Sequence, residues 1–82
     1  MLKAQQLRAG RGLVGIGQKE LAEMAGIAVA TLRRMEDDSI GPERSNAGSV
    51  QRVKDCLESA GVEFISENGG GAGVRLAKPA GE

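Results

Sequence analysis

The stretch from Gln18 to Glu36, QKELAEMAGIAVATLRRME, constrains the fold of this chain more than any other part of it. Leu21, Ala22 and Ala25 fall on one face of a first helix, and Leu32 and Met35 fall on one face of a second. Both faces turn toward one shared core, so the two helices must cross. Ala22 is small where the crossing brings the helices close. Gly26 stands where the chain leaves the first helix, a place for positive φ that a β-branched residue would strain. Gln18 and Glu20 open the first helix, with Glu20 spaced to reach back to a free backbone N–H and to favour the positive end of the dipole.

Two short helices about a glycine turn are the outline of a helix-turn-helix. Upstream, the spacing of Leu7, Arg11 and Val14 predicts a helix over about Lys3 to Val14, weakened in propensity by Gly10 and Gly12. Gly15-Ile16-Gly17 is a tight connection that inserts Ile16 into the core. The second helix of the motif is expected over about Val29 to Asp37, although Ala28 lacks the side-chain oxygen of a good N-cap. After a polar loop containing Gly41-Pro42, Ser45 or Asn46 caps a fourth helix. Its apolar stripe is Ala47, Val50, Val53, Leu57 and Ala60, and Gly61 ends it.

Val62 to Ser66 and Gly73 to Ala77 read as two short strands around the polar, glycine-rich loop Glu67 to Ala72. An isolated hairpin is marginal. This one must pack Phe64, Ile65, Val74 or Leu76 on the helices, or pair its edge with another chain. Lys78 to Glu82 is expected to be a disordered tail. The expected organisation is therefore a helical unit over 1–61, a hairpin extension of the same domain over 62–77, and the tail over 78–82.

Gln18, the pair Leu21-Ala22, the pair Ala25-Gly26, Ile27, Thr31, Leu32 and Glu36 resemble the lambda Cro and repressor family, the xenobiotic-response-element type of helix-turn-helix regulators. Gln6-Leu7-Arg8-Ala9 and Arg11 resemble that family's first helix, and Leu57 to Leu76 resembles the tail of its short bacterial members. The chain departs from the family at Asp38, which stands where a glycine commonly follows the helix-closing Glu. The resemblance implies a mainly α fold: a four-helix lambda-repressor-like domain with a short C-terminal β-hairpin. It implies an ion pair between Arg11 and Glu36 that pins the first helix to the end of the third. It also implies a sequence-specific regulator of transcription, in most cases a repressor, whose third helix enters the major groove of double-stranded DNA.

Under that docking geometry Gln18 offers its side-chain amide and backbone N–H to a phosphate at the start of the second helix. By resemblance the base-facing positions are Val29, Ala30, Arg33 and Arg34, with Thr31 near the backbone or a thymine methyl. Val29 and Ala30 replace the polar residues often used for bidentate readout, so hydrogen-bonded discrimination rests on the two arginines. One-turn pairs Arg33–Asp37 and Arg34–Asp38 are expected as weak competitors. Lys19, Arg8 and Arg44 are candidates for phosphate contact, each equally readable as a solvated surface charge.

Charge speaks against DNA binding: eleven basic and eleven acidic side chains cancel, where nucleic-acid binders are usually basic. The reading therefore needs Lys3, Arg8, Lys19, Arg33, Arg34 and Arg44 gathered on one surface. Phe64 is the sole aromatic residue, which argues against base stacking on single strands. The chain has no histidine and one cysteine, Cys56, so neither a conventional metal cluster nor an internal disulfide is expected. Gly69-Gly70-Gly71 is not followed by Gly-Lys-Ser/Thr or by a helix, which leaves a hairpin turn rather than a phosphate cradle. No pairing of carboxylates, or of a nucleophile with a base, suggests an enzyme. Without a transmembrane run or a signal peptide's apolar segment, the expectation is a cytoplasmic protein that needs no cofactor. A homodimer to which the hairpin contributes is favoured. The alternative is a protein-interaction module, such as an antitoxin or accessory subunit, that captures a partner through the hairpin edge.

Overall fold

The computed structural model describes residues 2–77. Helix α1 (Ala4–Val14), helix α2 (Gln18–Ala25), helix α3 (Val29–Met35) and helix α4 (Ala47–Ser59) precede an antiparallel hairpin of strands β1 (Val62–Ile65) and β2 (Gly73–Leu76). A single 3-10 turn, Pro42–Arg44, lies between α3 and α4. The expected mainly α, four-helix fold with a C-terminal hairpin is the observed one. The expected tail over 78–82 lies outside the described residues.

The helices pack because their apolar stripes meet. Leu7, Leu21, Leu32, Met35, Val53 and Leu57 are fully buried in one cluster, and each such burial contributes about 1.5–3 kcal/mol relative to exposure. Val14, the last residue of α1, and Ile16, in the α1–α2 connection, lean on that cluster. Asn46 caps α4, its Oδ1 accepting from the N–H groups of Gly48 and Ser49 at 2.8 and 3.3 Å. Of the expected α4 stripe, Val53 and Leu57 are buried and Val50 is half-buried, while Ala47 and Ala60 at the two ends are exposed.

Several boundaries differ from the sequence expectation. Lys3 is the N-cap of α1 rather than its first residue. Helix α3 ends at Met35, not Asp37, because the Asp37 carboxylate accepts from the Ser39 N–H at 2.8 Å and the Ser39 hydroxyl at 2.6 Å. Such a local side-chain turn competes with helix continuation. The same two bonds, the hydroxyl first, hold the Asp37 carboxyl below its usual range. At α2 the N-cap is Gly17 and no side-chain cap bond forms, so the expected reach-back by Glu20 is absent. Each strand is one residue shorter than expected, excluding Ser66 and Ala77, although the Ala77 N–H still donates to the Gly61 carbonyl at 2.7 Å.

The hairpin docks on its own helices. In the register Val62 opposite Leu76 and Phe64 opposite Val74, Val62 is buried and Phe64 and Val74 are half-buried against the core. At Gly10 of α1 a Cβ would lie 3.4 Å from Val62 Cγ1 and 3.5 Å from Leu57 Cδ1, ordinary van der Waals contact, so this approach does not itself require a glycine. Leu76, at the open end, remains 56% exposed.

A buried glutamine fastens the other end. Gln6 Nε2 donates to the carbonyls of Ile65 (3.1 Å) and Gly73 (3.0 Å), one from each strand, while its Oε1 accepts from the Lys3 N–H at 2.8 Å. Gln6→Leu keeps the apolar stem and deletes all three bonds. It should destabilise the fold by about 1–3 kcal/mol, with hydrogen exchange at β1 and β2 accelerating before that of α2 and α4. Equal acceleration everywhere would show that Gln6 supports the whole core rather than the hairpin.

Two exposed ion pairs also hold this region, Glu63 with Arg75 at 2.7 Å and Glu67 with Lys3. The hydrogen bond from Arg75 holds the Glu63 carboxyl below the usual range, and that from Lys3 does the same for Glu67. A folded-state pKa below the unfolded one means the stabilisation is present above the usual glutamate range and is lost as pH falls through the folded value. An NMR titration should therefore find both carboxyl midpoints below the ordinary glutamate value, with the hairpin loosening in that acid window. Midpoints at the ordinary value would mean that the pairs are not populated in solution.

Candidate nucleic-acid interface

Helices α2 and α3 are joined by Gly26, Ile27 and Ala28. Gly26 adopts φ 69°, the left-handed conformation that the sequence assigned to it, and its N–H closes α2 on the carbonyls of Ala22 and Glu23. The Ile27 N–H donates to the Ala22 carbonyl at 3.0 Å. Arg52 of α4 donates through Nε to the Ala25 carbonyl at 3.1 Å, placing a cation at the negative end of α2. No sequence signal singled out Arg52, because its partner is a main-chain oxygen.

The far end of α3 is anchored by Glu36, a carboxylate residue only 3% exposed. Arg11 meets it with two bonds, Nε to Oε2 and Nη2 to Oε1, both 2.7 Å. The same guanidinium donates to the Ile16 carbonyl at 3.1 Å. Gln18 Nε2 adds a third bond to Glu36, 3.0 Å from Oε1. The bond to Glu36 raises the Arg11 pKa against the opposing cost of burial. One carboxylate thus ties the end of α1, the start of α2 and the end of α3 together.

That network changes the part Gln18 is able to play. Its amide, assigned from sequence to a phosphate, is turned to Glu36. The outward resource at this position is the backbone N–H at the first residue of α2. Arg8 is also engaged: it donates to the Glu36 carbonyl and grips the Asp38 carboxylate at 2.8 and 3.3 Å. The expected one-turn pairs Arg33–Asp37 and Arg34–Asp38 do not form. With α3 ending at Met35, Asp37 turns to Ser39 and Asp38 to Arg8.

Leu32 and Met35 are the fully buried face of α3, Val29 and Thr31 are half-buried at its flanks, and Ala30, Arg33 and Arg34 are exposed. Lys19 is exposed on α2, and Arg44 is exposed at the end of the 3-10 turn that packs against α3. Among the described residues the ion pairs are Lys3–Glu67, Arg8–Asp38, Arg11–Glu36 and Arg75–Glu63. Lys19, Arg33, Arg34 and Arg44 take part in none of them. Among the described residues, the ion pairs thus neutralise cations of α1 and the hairpin, while those of α3, like Arg52 and Lys54 of α4, take part in none.

The described residues hold no group of three or more His, Cys, Asp and Glu side chains able to hold a metal, and Cys56 is half-buried on α4. No described helix is long and apolar enough to cross a membrane. Neither a protein-family model nor a curated protein matches this chain.

Proposed function

We propose that this protein is a sequence-specific double-stranded DNA-binding regulator of transcription, related to the lambda Cro and repressor family, that reads the major groove with α3. The observation that carries the reading is the division of α3 into two faces. Leu32, Met35 and the tethered Glu36 fix one face in the core, and the opposite face presents Ala30, Arg33 and Arg34, with neither arginine in an ion pair among the described residues. A rigidly mounted, exposed, unneutralised cationic helix face suits a groove walled by phosphates. In this mode α2 crosses the backbone, where the Gln18 N–H and the Lys19 ammonium serve phosphates. Simple occupancy of an operator makes repression the expected outcome, in the cytoplasm and without a cofactor. A homodimer would present two copies of α3 to half-sites about one helical turn apart, on a roughly palindromic operator.

The exposed Leu76 on β2 favours a second role, capture of a protein partner at the hairpin edge. Salt separates the two. Binding of the purified protein to a labelled mixed-sequence duplex should weaken steeply from low to physiological salt, log affinity falling linearly with log salt. A folded protein that binds no duplex at low salt would discard the DNA reading.

A further inference from the structure

We infer that Asn68-Gly69, in the loop of the hairpin, is a site of self-modification, at which the folded chain converts Asn68 into a mixture of aspartate and isoaspartate without an enzyme. The inference is independent of the DNA reading above.

The conversion needs the side-chain amide carbon of an asparagine to meet the main-chain nitrogen of the next residue. Glycine obstructs that approach least, having no Cβ beside the attacking nitrogen. The chain has two asparagines, Asn46 and Asn68, and the fold treats them oppositely. Asn68 is exposed and is followed by three glycines. Among the described residues no main-chain hydrogen bond ties down residues 66–72, and the contact that anchors this loop is the ion pair of Glu67 with Lys3. Gly69 has φ 83°, and a Cβ built on it would meet nothing within 4 Å. Neither reacting atom is therefore held or shielded. Asn46 is the contrast: its Oδ1 accepts from the N–H groups of Gly48 and Ser49 at 2.8 and 3.3 Å, and the next residue, Ala47, is the first of α4. Attack there would sacrifice the helix cap and crowd a Cβ.

At Asn68 the Gly69 nitrogen gives its proton to hydroxide and attacks the Asn68 side-chain carbonyl carbon. The bond from that carbon to Nδ2 breaks, ammonia leaves with a proton from water, and a cyclic succinimide remains. Water then opens the ring. Opening at the side-chain carbonyl gives aspartate, and opening at the main-chain carbonyl gives isoaspartate, which carries the backbone through the former side chain. The sum is one water consumed and one ammonia released, with nothing oxidised or reduced. The eleven basic and eleven acidic side chains lose their balance, and the new carboxylate stands beside Glu67, the residue that holds Lys3 at the start of α1.

The test keeps the folded protein at 37 °C in neutral buffer and follows its tryptic peptides by mass spectrometry, with isoaspartate read by an isoaspartate-specific carboxyl methyltransferase and a labelled methyl donor. Asn68 falls in the peptide Asp55–Arg75 and Asn46 in Ser45–Arg52. The first should progressively exchange NH2 for OH and accept label, while the second stays unchanged. The rate at Asn68 should rise with pH, because the attacking nitrogen must lose its proton, and should be the same in the folded protein and in protein unfolded by guanidinium chloride. Asn68→Gln, a change at an exposed position, should melt like the wild type and accept no label. An Asn68 that stays intact in the folded chain but converts in the unfolded one would overturn the inference. Conversion of Asn46 as fast as Asn68 in the folded protein would overturn it as well.

Discussion

Replacing Arg33 and Arg34 together with alanine should weaken operator binding at least about thirty-fold, since each bidentate guanine contact is worth about 1–3 kcal/mol of discrimination. The fold should be untouched. Both side chains are exposed and neither takes part in an ion pair among the described residues, and such surface substitutions usually change stability by less than about 0.5 kcal/mol. Alanine is also the better helix former, so α3 itself does not suffer. Titration of a labelled operator, beside a thermal melt of both proteins, separates the two effects. A double variant that melts like the wild type and binds as tightly would remove α3 as the reading element.

Arg11→Ala should act in the opposite way, on the fold rather than on the readout. It removes the guanidinium from a carboxylate whose side chain is only 2% exposed, leaving Glu36 with the Gln18 amide alone. Breaking a buried pair from one side costs about 3–5 kcal/mol, against a total of about 4–12 kcal/mol for a domain of this length. A large drop in the urea midpoint is expected, with the protein partly unfolded at 37 °C. Replacing both partners, Arg11→Met with Glu36→Leu, should recover much of the loss, because no charge is then stranded. If Arg11→Ala melted like the wild type, the pair would contribute nothing net. If the double variant were as unstable as the single one, the defect would lie in packing rather than in an orphaned charge.

The parts of this structure that were legible in the sequence rest on periodicity and on residues with one strong conformational reason to be where they are. Leu21, Ala22, Ala25, Leu32 and Met35 repeat at helical spacing, and all five are buried. Gly26 was assigned a positive φ and has one. The Arg11–Glu36 contact came from resemblance, since two opposite charges 25 residues apart carry no local signal of proximity.

What was not legible depends on main-chain partners or on competition between nearby side chains. Gln6 reaches carbonyls 59 and 67 residues away, and nothing in its local sequence announces that. Arg52 seeks the end of α2 for the same kind of reason. Asp37 sits on the helical repeat of α3, yet its carboxylate bonds forward to Ser39 and stops the helix. That early stop separates Asp37 and Asp38 from the arginines they were expected to meet, and it hands Asp38 to Arg8. Gln18 illustrates the limit of motif reading: its position in the motif is as expected, while its amide faces inward to Glu36.

The most direct test of the DNA reading is selection from a random double-stranded pool, run in parallel with the wild type and the Arg33→Ala, Arg34→Ala double variant. Enrichment of a palindromic duplex by the wild type, lost or degraded with the double variant, is the expected result. No enrichment by a folded wild-type protein at low salt, or equal enrichment of the same sequence by both proteins, would contradict it.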